Sequence, residues 1–320
     1  MILDLYDPLK TILASGTGVA IKAIDRENLN YEELHEVVQF FGSQLNYLGV
    51  HPGQTIGLVL PNGPEAATVF LSIANFATAA PLNPSYTQEE FYFYLNDLSA
   101  RLLLVLENKD TPARSAAERL SIPVLEIRPL QKAGEFVLVD KNGIVPTKPQ
   151  VLRNKKDDVA LVLHTSGTTS RPKIVPLTAN NLSTSARNVA ESLSLNERDI
   201  CLNIMPLFHI HGLVGAVLSS FYSGGCVICT QGFNILRFFR WLKKFQPTWY
   251  TAVPTMHQAI LDRAKRNKDI VRMNTLRFVR SSSASLPVPV FHALESVFNC
   301  AVIEAYGMTE AAHQMTSNPL

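Results

Sequence analysis

The sequence lacks most of the features that mark secreted, membrane-spanning or nucleic-acid-binding chains. Four cysteines in 320 residues are too few for a disulfide framework and favour a reducing compartment. The formal net charge of only +2 excludes a strongly basic or acidic binding surface, so we expect no nucleic-acid partner. The longest apolar run, from Val69 to Leu82, is interrupted by Asn75 and is too short to span a bilayer. None of these features bears on oligomeric state.

The first ten residues carry Asp4 and Asp7 and have no basic stretch ahead of an apolar segment. We therefore expect no secretory leader and a cytoplasmic chain. A peroxisomal location stays open, because its address would lie at the C-terminus of a longer parent protein.

Patterns typical of common cofactor sites are also missing. Cys226 and Cys229 form a C-x-x-C, but the segment is typical of a strand, and no second pair completes a zinc site. His209 and His211 are two imidazoles without a nearby acidic or cysteine ligand, which is too few for a metal site. A Walker A loop is absent as well, since Lys173 follows Pro172 and precedes Ile174.

What the sequence does contain is a long alternation of apolar strands and amphipathic helices. Asn30 with Glu33, and Thr87 with Glu90, form capping boxes ahead of helical spacing, and Pro64 opens another helix. Such alternation predicts an α/β fold with mostly parallel sheets layered with helices. The irregular stretch 131–157 predicts a junction between an N-terminal α/β subdomain, 1–150, and a second α/β subdomain, 151–320.

The predicted elements can be given by range. Strands are expected at 55–60, 101–106, 159–164, 200–205, 226–230, 248–252, 276–280 and 302–305. In the second half, helices are expected at 178–192, 212–222, 234–245, 255–268 and 287–298.

The segment from Leu161 to Lys173 carries the clearest chemistry. An apolar strand runs into five hydroxyl residues, Gly167, Arg171 and Lys173. Hydroxyl groups and free backbone N–H groups donate to phosphate oxygens, lysine and arginine add positive charge, and glycine allows close backbone approach. A flexible polar loop would have a similar composition, so composition alone leaves both interpretations open.

Three motifs together resemble the adenylate-forming superfamily, which includes acyl-CoA synthetases, luciferases and adenylation domains. Thr165 to Lys173 is similar to its T-S-G-T-T-G-x-P-K-G loop, with Ser170 and Ile174 in place of glycines. Pro206 to His209 resembles the P-x-F-H segment, whose histidine gates the acyl site. Tyr306 to Glu310 resembles the Y-G-x-T-E signature. The resemblance covers nearly the whole chain and implies the large N-terminal domain of these enzymes.

The resemblance implies ATP, Mg²⁺ and coenzyme A as cofactors and co-substrate, and a role for each motif residue. Glu310 is a hard oxygen ligand suited to Mg²⁺, Thr309 can donate to the α-phosphate, and Tyr306 offers a ring to adenine. The predicted catalytic residues are Lys173, His209, Thr309 and Glu310. The predicted metal ligands are Thr168 and Glu310. The predicted nucleotide contacts are Thr165, Ser166, Gly167, Thr168, Thr169, Ser283, Ala284, Glu304, Ala305, Tyr306, Gly307 and Met308.

The acid is predicted to be small and polar. Serines fill the segment from Ser281 to Ser285, where most of the family has glycine and alanine, and hydroxyl donors favour a polar acid over a fatty chain. This segment and its surroundings resemble the oxalyl-CoA synthetase branch. Donors for the second carboxylate of oxalate are predicted to be His209, His211, Ser281, Ser283 and His313.

Two alternatives stay open at this stage. A 4-coumarate-like or medium-chain acyl-CoA ligase would share the motifs, although Trp249, Tyr250 and the serine run argue against an apolar acid pocket. A non-catalytic nucleotide-binding remnant is the other alternative. Because family members continue beyond the Y-G-x-T-E motif into a small C-terminal domain that bears a catalytic lysine, we expect this chain to be impaired alone.

Overall fold

The computed structural model describes residues 16–149, 152–165 and 172–320, which form two eight-stranded sheets with helices packed between and around them. The strands are β1 (Val19–Ala23), β2 (Leu29–Asn30), β3 (Thr55–Val59), β4 (Thr78–Pro81), β5 (Leu102–Leu106), β6 (Val124–Pro129), β7 (Phe136–Asp140), β8 (Gly143–Ile144), β9 (Val159–Thr165), β10 (Lys173–Thr178), β11 (Ile200–Asn203), β12 (Cys226–Cys229), β13 (Trp249–Ala252), β14 (Phe278–Ser281), β15 (Ala301–Met308) and β16 (His313–Ser317).

The helices alternate with these strands along the chain. They are α1 (Tyr31–Tyr47), α2 (Pro64–Phe76), α3 (Gln88–Asp97), α4 (Pro112–Arg119), α5 (Ala179–Ser192), a π-helix (His211–Leu218) that continues as α6 (Ser219–Tyr222), α7 (Ile235–Phe245), α8 (Pro254–Ala264), α9 (Lys268–Arg272), α10 (Val288–Phe298) and a short 3₁₀-helix (Thr309–Ala311).

Both sheets are parallel in the middle and antiparallel at their edges. The first sheet has the order β10-β9-β4-β3-β5-β6-β7-β8, and the second has the order β16-β15-β14-β13-β11-β12-β1-β2. In the first sheet β9, β4, β3, β5 and β6 run parallel, and in the second sheet β1 and β11 to β15 do so. Parallel strands of this kind require helical crossovers, which confirms the predicted α/β fold.

Each sheet takes strands from both sides of residue 150. The early strands β1 and β2 lie in the sheet that holds β11 to β16, whereas β9 and β10 lie in the sheet built from β3 to β8. Helix α2 contacts β4 and β9 of the first sheet as well as β1 and β12 of the second. All its residues from Ala66 to Phe76 are buried, as expected for a helix enclosed on every side. The predicted boundary at 150 stays a prediction.

Helix starts were well predicted because their signals are local. Asn30 and Thr87 each accept from the backbone three residues on, and Glu33 and Glu90 return the bond. Two predicted helices differ in detail. The helix expected at 255–268 is split into α8 and α9, and the Asn267 side chain donates to the Arg263 carbonyl oxygen (3.0 Å) at the break. The helix expected at 212–222 begins one residue earlier and is π-wound at first.

Candidate active site

Seven of the predicted site residues line one cavity at the carboxyl ends of parallel strands, namely His209, His211, Ser283, Gly307, Met308, Thr309 and His313. This is where open α/β sheets bind ligands. The cavity has a volume of about 320 Å³ and draws on both sheets, since β9 lines one side and the end of β15 another. Its lining consists of Leu163, His164, Met205, Phe208, His209, Ile210, His211, Val253, Ser283, Gly307, Met308, Thr309 and His313. A larger cavity of about 650 Å³ among α8, α9 and α10 contains none of the predicted site residues.

The hydroxyl-rich loop joins two adjacent strands. Thr165 ends β9, Lys173 begins β10, and the two residues are direct partners in the antiparallel ladder. Ser166, Gly167, Thr168 and Thr169 lie outside the described residues. Ile174, which replaces a family glycine, pairs with His164 in extended backbone and leaves its side chain 41% exposed. Its backbone is not in the left-handed region, so nothing in the local geometry of β10 demands glycine there.

The Y-G-x-T-E segment lies beside the stem of this loop. Glu310 is in the 3₁₀-helix after β15, and its Oε1 accepts a hydrogen bond from Thr165 Oγ1 (3.3 Å). Thr309 and Met308 line the cavity, and the Tyr306 ring is 64% exposed beside them in sequence. The structure therefore brings Thr165, Thr309 and Glu310 to the same edge of the cavity, with Lys173 across the ladder from Thr165.

Gly307 is fixed by the backbone of β16. A Cβ at this position would lie 1.5 Å from the carbonyl oxygen of His313, which no side chain can tolerate. The strands β15 and β16 thus approach each other closely at Gly307, and His313 lies in the cavity wall. His313 itself has a φ of 104°, a strained value for a non-glycine residue.

The serine-rich segment is held in place by two residues of β15. Ser282 Oγ donates to the Ala305 carbonyl oxygen (2.9 Å), and the Leu286 N–H donates to Glu304 Oε1 (3.0 Å). Between these anchors Ser283 adopts a left-handed φ of 73° and Ala284 is exposed. The predicted nucleotide contacts Glu304 and Ala305 therefore position the segment through hydrogen bonds, and only Ser283 of the segment lines the cavity.

Two buried histidines form the floor of the cavity. The rings of His211 and His313 are stacked with centroids 4.9 Å apart. His211 Nδ1 lies 2.9 Å from Ser283 Oγ, and its Nε2 lies 2.6 Å from Thr251 Oγ1. His313 Nε2 is buried and has no hydrogen-bond partner. Burial holds the pKa of both histidines well below the ordinary value, so both rings are neutral at neutral pH.

The remaining two predicted acid contacts lie in different surroundings. His209 lines the cavity from its more exposed side. Ser281, in contrast, is not in the lining; its hydroxyl is buried and has no partner. Successive side chains of a strand face opposite ways, so Ser281 lies on the other face of β14 from Arg280.

Sequence reasoning missed several polar residues around the cavity. The main one is Arg280, whose side chain is 0% exposed and lies behind His211. Thr251 and Gln314 bond to it. An arginine that ends an apolar strand is an unusual pattern and could have drawn attention. His164, in the cavity wall, pairs with Asp97 (3.1 Å); burial lowers its pKa, and the carboxylate opposes this shift.

The residues present fit a magnesium ion that is carried in with a nucleotide. Glu310 offers an exposed carboxylate at the loop stem, and Mg²⁺ in ATP-using sites is typically bound by one or two carboxylates together with phosphates and water. Within the described ranges no cluster of three or more His, Cys, Asp or Glu side chains could hold a metal by itself.

Cys226 and Cys229 are both buried in β12, and burial raises the pKa of the Cys226 thiol to about 12.

Comparison with known proteins assigns the family. The AMP-binding enzyme family matches residues 14–320. The chain belongs to this family. Its relatives include an oxalate–CoA ligase of Arabidopsis thaliana, 42% identical over 94% of this chain and 59% of that protein. An oxalate–CoA ligase of Saccharomyces cerevisiae is 34% identical over 96% of this chain and 61% of that protein. The chain therefore spans about three-fifths of the length of these AMP-binding relatives.

Solved structures of the AMP-binding family share the fold. ATP-bound MatB from Rhodopseudomonas palustris superposes with a TM-score of 0.84 at 22% identity, covering 98% of this chain and 61% of that one. A long-chain-fatty-acid–CoA ligase from Archaeoglobus fulgidus gives a TM-score of 0.86, also at 22% identity, over 100% and 67% of the two chains. The predicted large N-terminal domain of adenylate-forming enzymes is thus confirmed. Among the described helices, none combines the length and apolarity that a membrane span requires.

Proposed function

We propose that this chain carries the ATP- and acid-binding site of an AMP-forming acyl-CoA ligase that activates a small carboxylic acid, with oxalate as the first candidate. ATP and the acid would form an acyl-adenylate, and coenzyme A would then accept the acyl group as a thioester. The single observation that carries the acid assignment is the 320 Å³ cavity with two buried neutral histidines and Ser283 in its wall. Membership of the AMP-binding family supports the nucleotide.

Formation of the acyl-adenylate would require a separate role from each of several residues in this chain. One carboxylate oxygen of the acid attacks the α-phosphorus of ATP, and pyrophosphate leaves. Thr309 would donate to the α-phosphate at the cavity edge, and Lys173 would offset phosphate charge from across the β9–β10 ladder. Tyr306 would lie against adenine with its exposed ring. Glu310 and Thr168 would hold Mg²⁺, which supplies charge neutralisation on the phosphates when bound.

The acid side favours a short, polar molecule. Pockets for drug-sized ligands begin at roughly 300 Å³, so this cavity leaves little room for a long chain beyond the reacting carboxylate. Its donors include the His209 ring and the hydroxyl of Ser283, to which His211 Nδ1 lies within hydrogen-bond distance. A second carboxylate would accept a hydrogen bond from the Ser283 hydroxyl, whereas an alkyl or phenyl tail would leave that donor without an acceptor.

The names of several relatives also favour a small acid with a second acidic group. The names of the Arabidopsis and yeast relatives specify oxalate, and more distant relatives are named as sulfoacetate–CoA ligase and malonate–CoA ligase. All of these acids carry a second acidic group. A 4-coumarate-like or medium-chain ligase is the alternative within the same reaction class, and a non-catalytic nucleotide-binding module is the alternative outside it.

The test is a calorimetric titration of the Mg·ATP-saturated chain with three acids of different character. We expect saturable binding of oxalate and no measurable binding of octanoate or 4-coumarate at the same concentrations. Binding of octanoate or 4-coumarate in preference to oxalate would contradict the acid assignment. Nucleotide binding without any acid binding would favour the non-catalytic module.

A second measurement addresses turnover by the 320-residue polypeptide. We expect slow release of pyrophosphate with oxalate, Mg²⁺ and ATP, because the chain spans only about three-fifths of its relatives and the resemblance assigns a catalytic lysine to the rest. Release at rates typical of complete enzymes, on the order of 10 s⁻¹, would contradict this expectation.

A further inference from the structure

Arg280 is a buried cation for which the described part of the chain provides no anion. The residue lies in β14, and its side chain is 0% exposed. Across residues 16–149, 152–165 and 172–320, no carboxylate forms an ion pair with it, and its Nε is buried without a hydrogen-bond partner. A buried unpaired charge is costly and is normally retained only for a functional reason.

The hydrogen bonds of Arg280 lead toward the cavity. Its Nη1 donates to Thr251 Oγ1 (3.3 Å) and lies 3.5 Å from His211 Nε2, while its Nη2 donates to Gln314 Oε1 (2.9 Å). A guanidinium has no acceptor atom, so the direction of each bond is fixed at this end. Thr251 therefore accepts from Arg280, and its own hydroxyl can donate a hydrogen bond to His211 Nε2, 2.6 Å away.

The hydrogen bonds continue through His211 to the cavity surface, each donated in the direction away from Arg280. Because Nε2 accepts, the neutral ring carries its proton on Nδ1, which donates to Ser283 Oγ at 2.9 Å. The hydroxyl hydrogen of Ser283 is then left for a ligand. Ser283 lines the cavity and is held there by a left-handed backbone. The chain Arg280–Thr251–His211–Ser283 thus presents a donor at its open end.

We propose that Arg280 is a positioning residue that makes this cavity selective for an acid with a second carboxylate. Its charge is the missing counter-charge for that carboxylate, and its donor-only chemistry orients Thr251, His211 and Ser283 so that the cavity presents a hydroxyl donor. The inference rests on the proposed function, and it explains why a buried arginine stands behind the acid side instead of an apolar residue.

The test compares two acids of similar size and different charge. Oxalate and glycolate, in which a hydroxymethyl group replaces one carboxylate, are titrated separately into the Mg·ATP-saturated chain. In Arg280→Met we expect oxalate affinity to fall about 10- to 50-fold and glycolate affinity to change less than about threefold. Arg280→Lys, which keeps a donor-only cation, should restore part of the oxalate preference.

Two further variants separate selectivity from stability. Thr251→Val keeps the cation but interrupts the series of hydrogen bonds from Arg280 to Ser283. The ratio of oxalate affinity to glycolate affinity should fall about threefold to fivefold. Arg277→Met is the matched control, since it removes a nearby cation that pairs with Asp199 (2.6 Å) and does not reach the cavity. It should lower stability and leave the ratio unchanged. An equal loss of both acids in Arg280→Met, or the same ratio as in the unmodified chain, would overturn the proposal.

A measurement on the unmodified chain covers the case in which Arg280→Met does not fold. The titratable groups near the guanidinium are Cys201 on β11, His211 at the start of the π-helix, His257 on α8 and His313 on β16, and His209 interacts with His211 in turn. Burial raises the pKa of the thiol and lowers the pKa of the imidazoles, so these groups are uncharged and the ratio of oxalate affinity to glycolate affinity should be constant from about pH 7 to about pH 8.

A ratio that rises as the pH falls over that range would assign the charge to a histidine and overturn the role of Arg280. The two proposals fail differently. A chain that binds Mg·ATP but no carboxylate contradicts both the oxalate assignment and the role of Arg280. A chain that binds oxalate with a ratio insensitive to Arg280→Met contradicts only the latter.

Discussion

The proposed nucleotide side and the proposed acid side of the cavity are built in opposite ways. On the nucleotide side, Lys173, Tyr306 and Glu310 are exposed residues at the ends of strands and in short turns. On the acid side, Arg280, His211 and His313 are buried and connected by hydrogen bonds or ring stacking. The first kind of site works through groups that a charged ligand can reach from solvent. The second kind binds its ligand through buried polar groups whose positions are fixed before the ligand binds.

This difference also decides how far the sequence could predict the site. The proposed nucleotide side lies in contiguous motifs, so residues 165–173 and 306–310 can be proposed by reading along the chain. The acid side joins β13, β14, β16 and the π-helix, so Thr251, Arg280 and Gln314 come together only after the sheet has formed. Ser281 illustrates the limit, because a serine run does not reveal which of its hydroxyls faces the cavity.

The fold follows the same rule. The capping boxes at Asn30 and Thr87 involve residues three apart and were predicted correctly. Which sheet a strand joins depends on long-range pairing, and nothing local to β1 indicates that it pairs with β12 more than two hundred residues away.

The largest effect is expected where the two sides meet. In Gly307→Ala the new Cβ would lie 1.5 Å from the His313 carbonyl oxygen, so β16 must move and carry His313 with it. We expect the free energy of unfolding to fall by about 3 kcal/mol and both ATP and oxalate binding to weaken, as measured by urea denaturation and calorimetry. The control Gly18→Ala meets no atom within 4 Å and should change stability by less than about 0.5 kcal/mol. Weaker binding of only one of the two ligands would show that the two sides do not meet at Gly307.

Acidification should destabilise the interior behind the acid side. Burial lowers the pKa of His257 from 6.5 to about 4. The unfolded chain therefore binds this proton at a higher pH than the folded chain, and stability present above about pH 6.5 is lost as the pH falls toward 4. The loss of stability from this residue is roughly 3 kcal/mol. Burial lowers the pKa values of His211 and His313 as well, so these residues act in the same direction. Urea denaturation of the unmodified chain and of His257→Gln across this range measures it.

In His257→Gln the decline should be shallower than in the unmodified chain. Identical pH profiles for the two proteins would show that burial of this imidazole does not cause the loss of stability. That result would argue against a buried polar interior behind the acid side.

A charge change on the nucleotide side should leave the acid side intact. Glu310→Gln keeps the hydrogen bond with Thr165 possible but removes the carboxylate charge. We expect affinity for Mg·ATP to fall about tenfold, with oxalate binding in the absence of nucleotide unchanged. Glu118→Gln, at an exposed position on α4, is the matched control. Weaker oxalate binding in Glu310→Gln would mean that the two sides are not separable.

The smallest effect is expected at the departure from the family loop. Ile174 is exposed on an edge strand in extended backbone, so Ile174→Gly relieves no strain. We expect Mg·ATP affinity to stay within about twofold and stability to fall by about 0.5–1 kcal/mol, because glycine weakens a strand. A large gain in nucleotide affinity would identify Ile174 as an obstruction at the loop.

The most direct test of the whole account is whether the two sides act as one site. Affinity for Mg·ATP is measured calorimetrically with and without saturating oxalate. We predict that oxalate tightens Mg·ATP binding at least about fivefold, since both ligands meet in one cavity and coupling is reciprocal. An Mg·ATP affinity that is the same with and without oxalate would contradict the account.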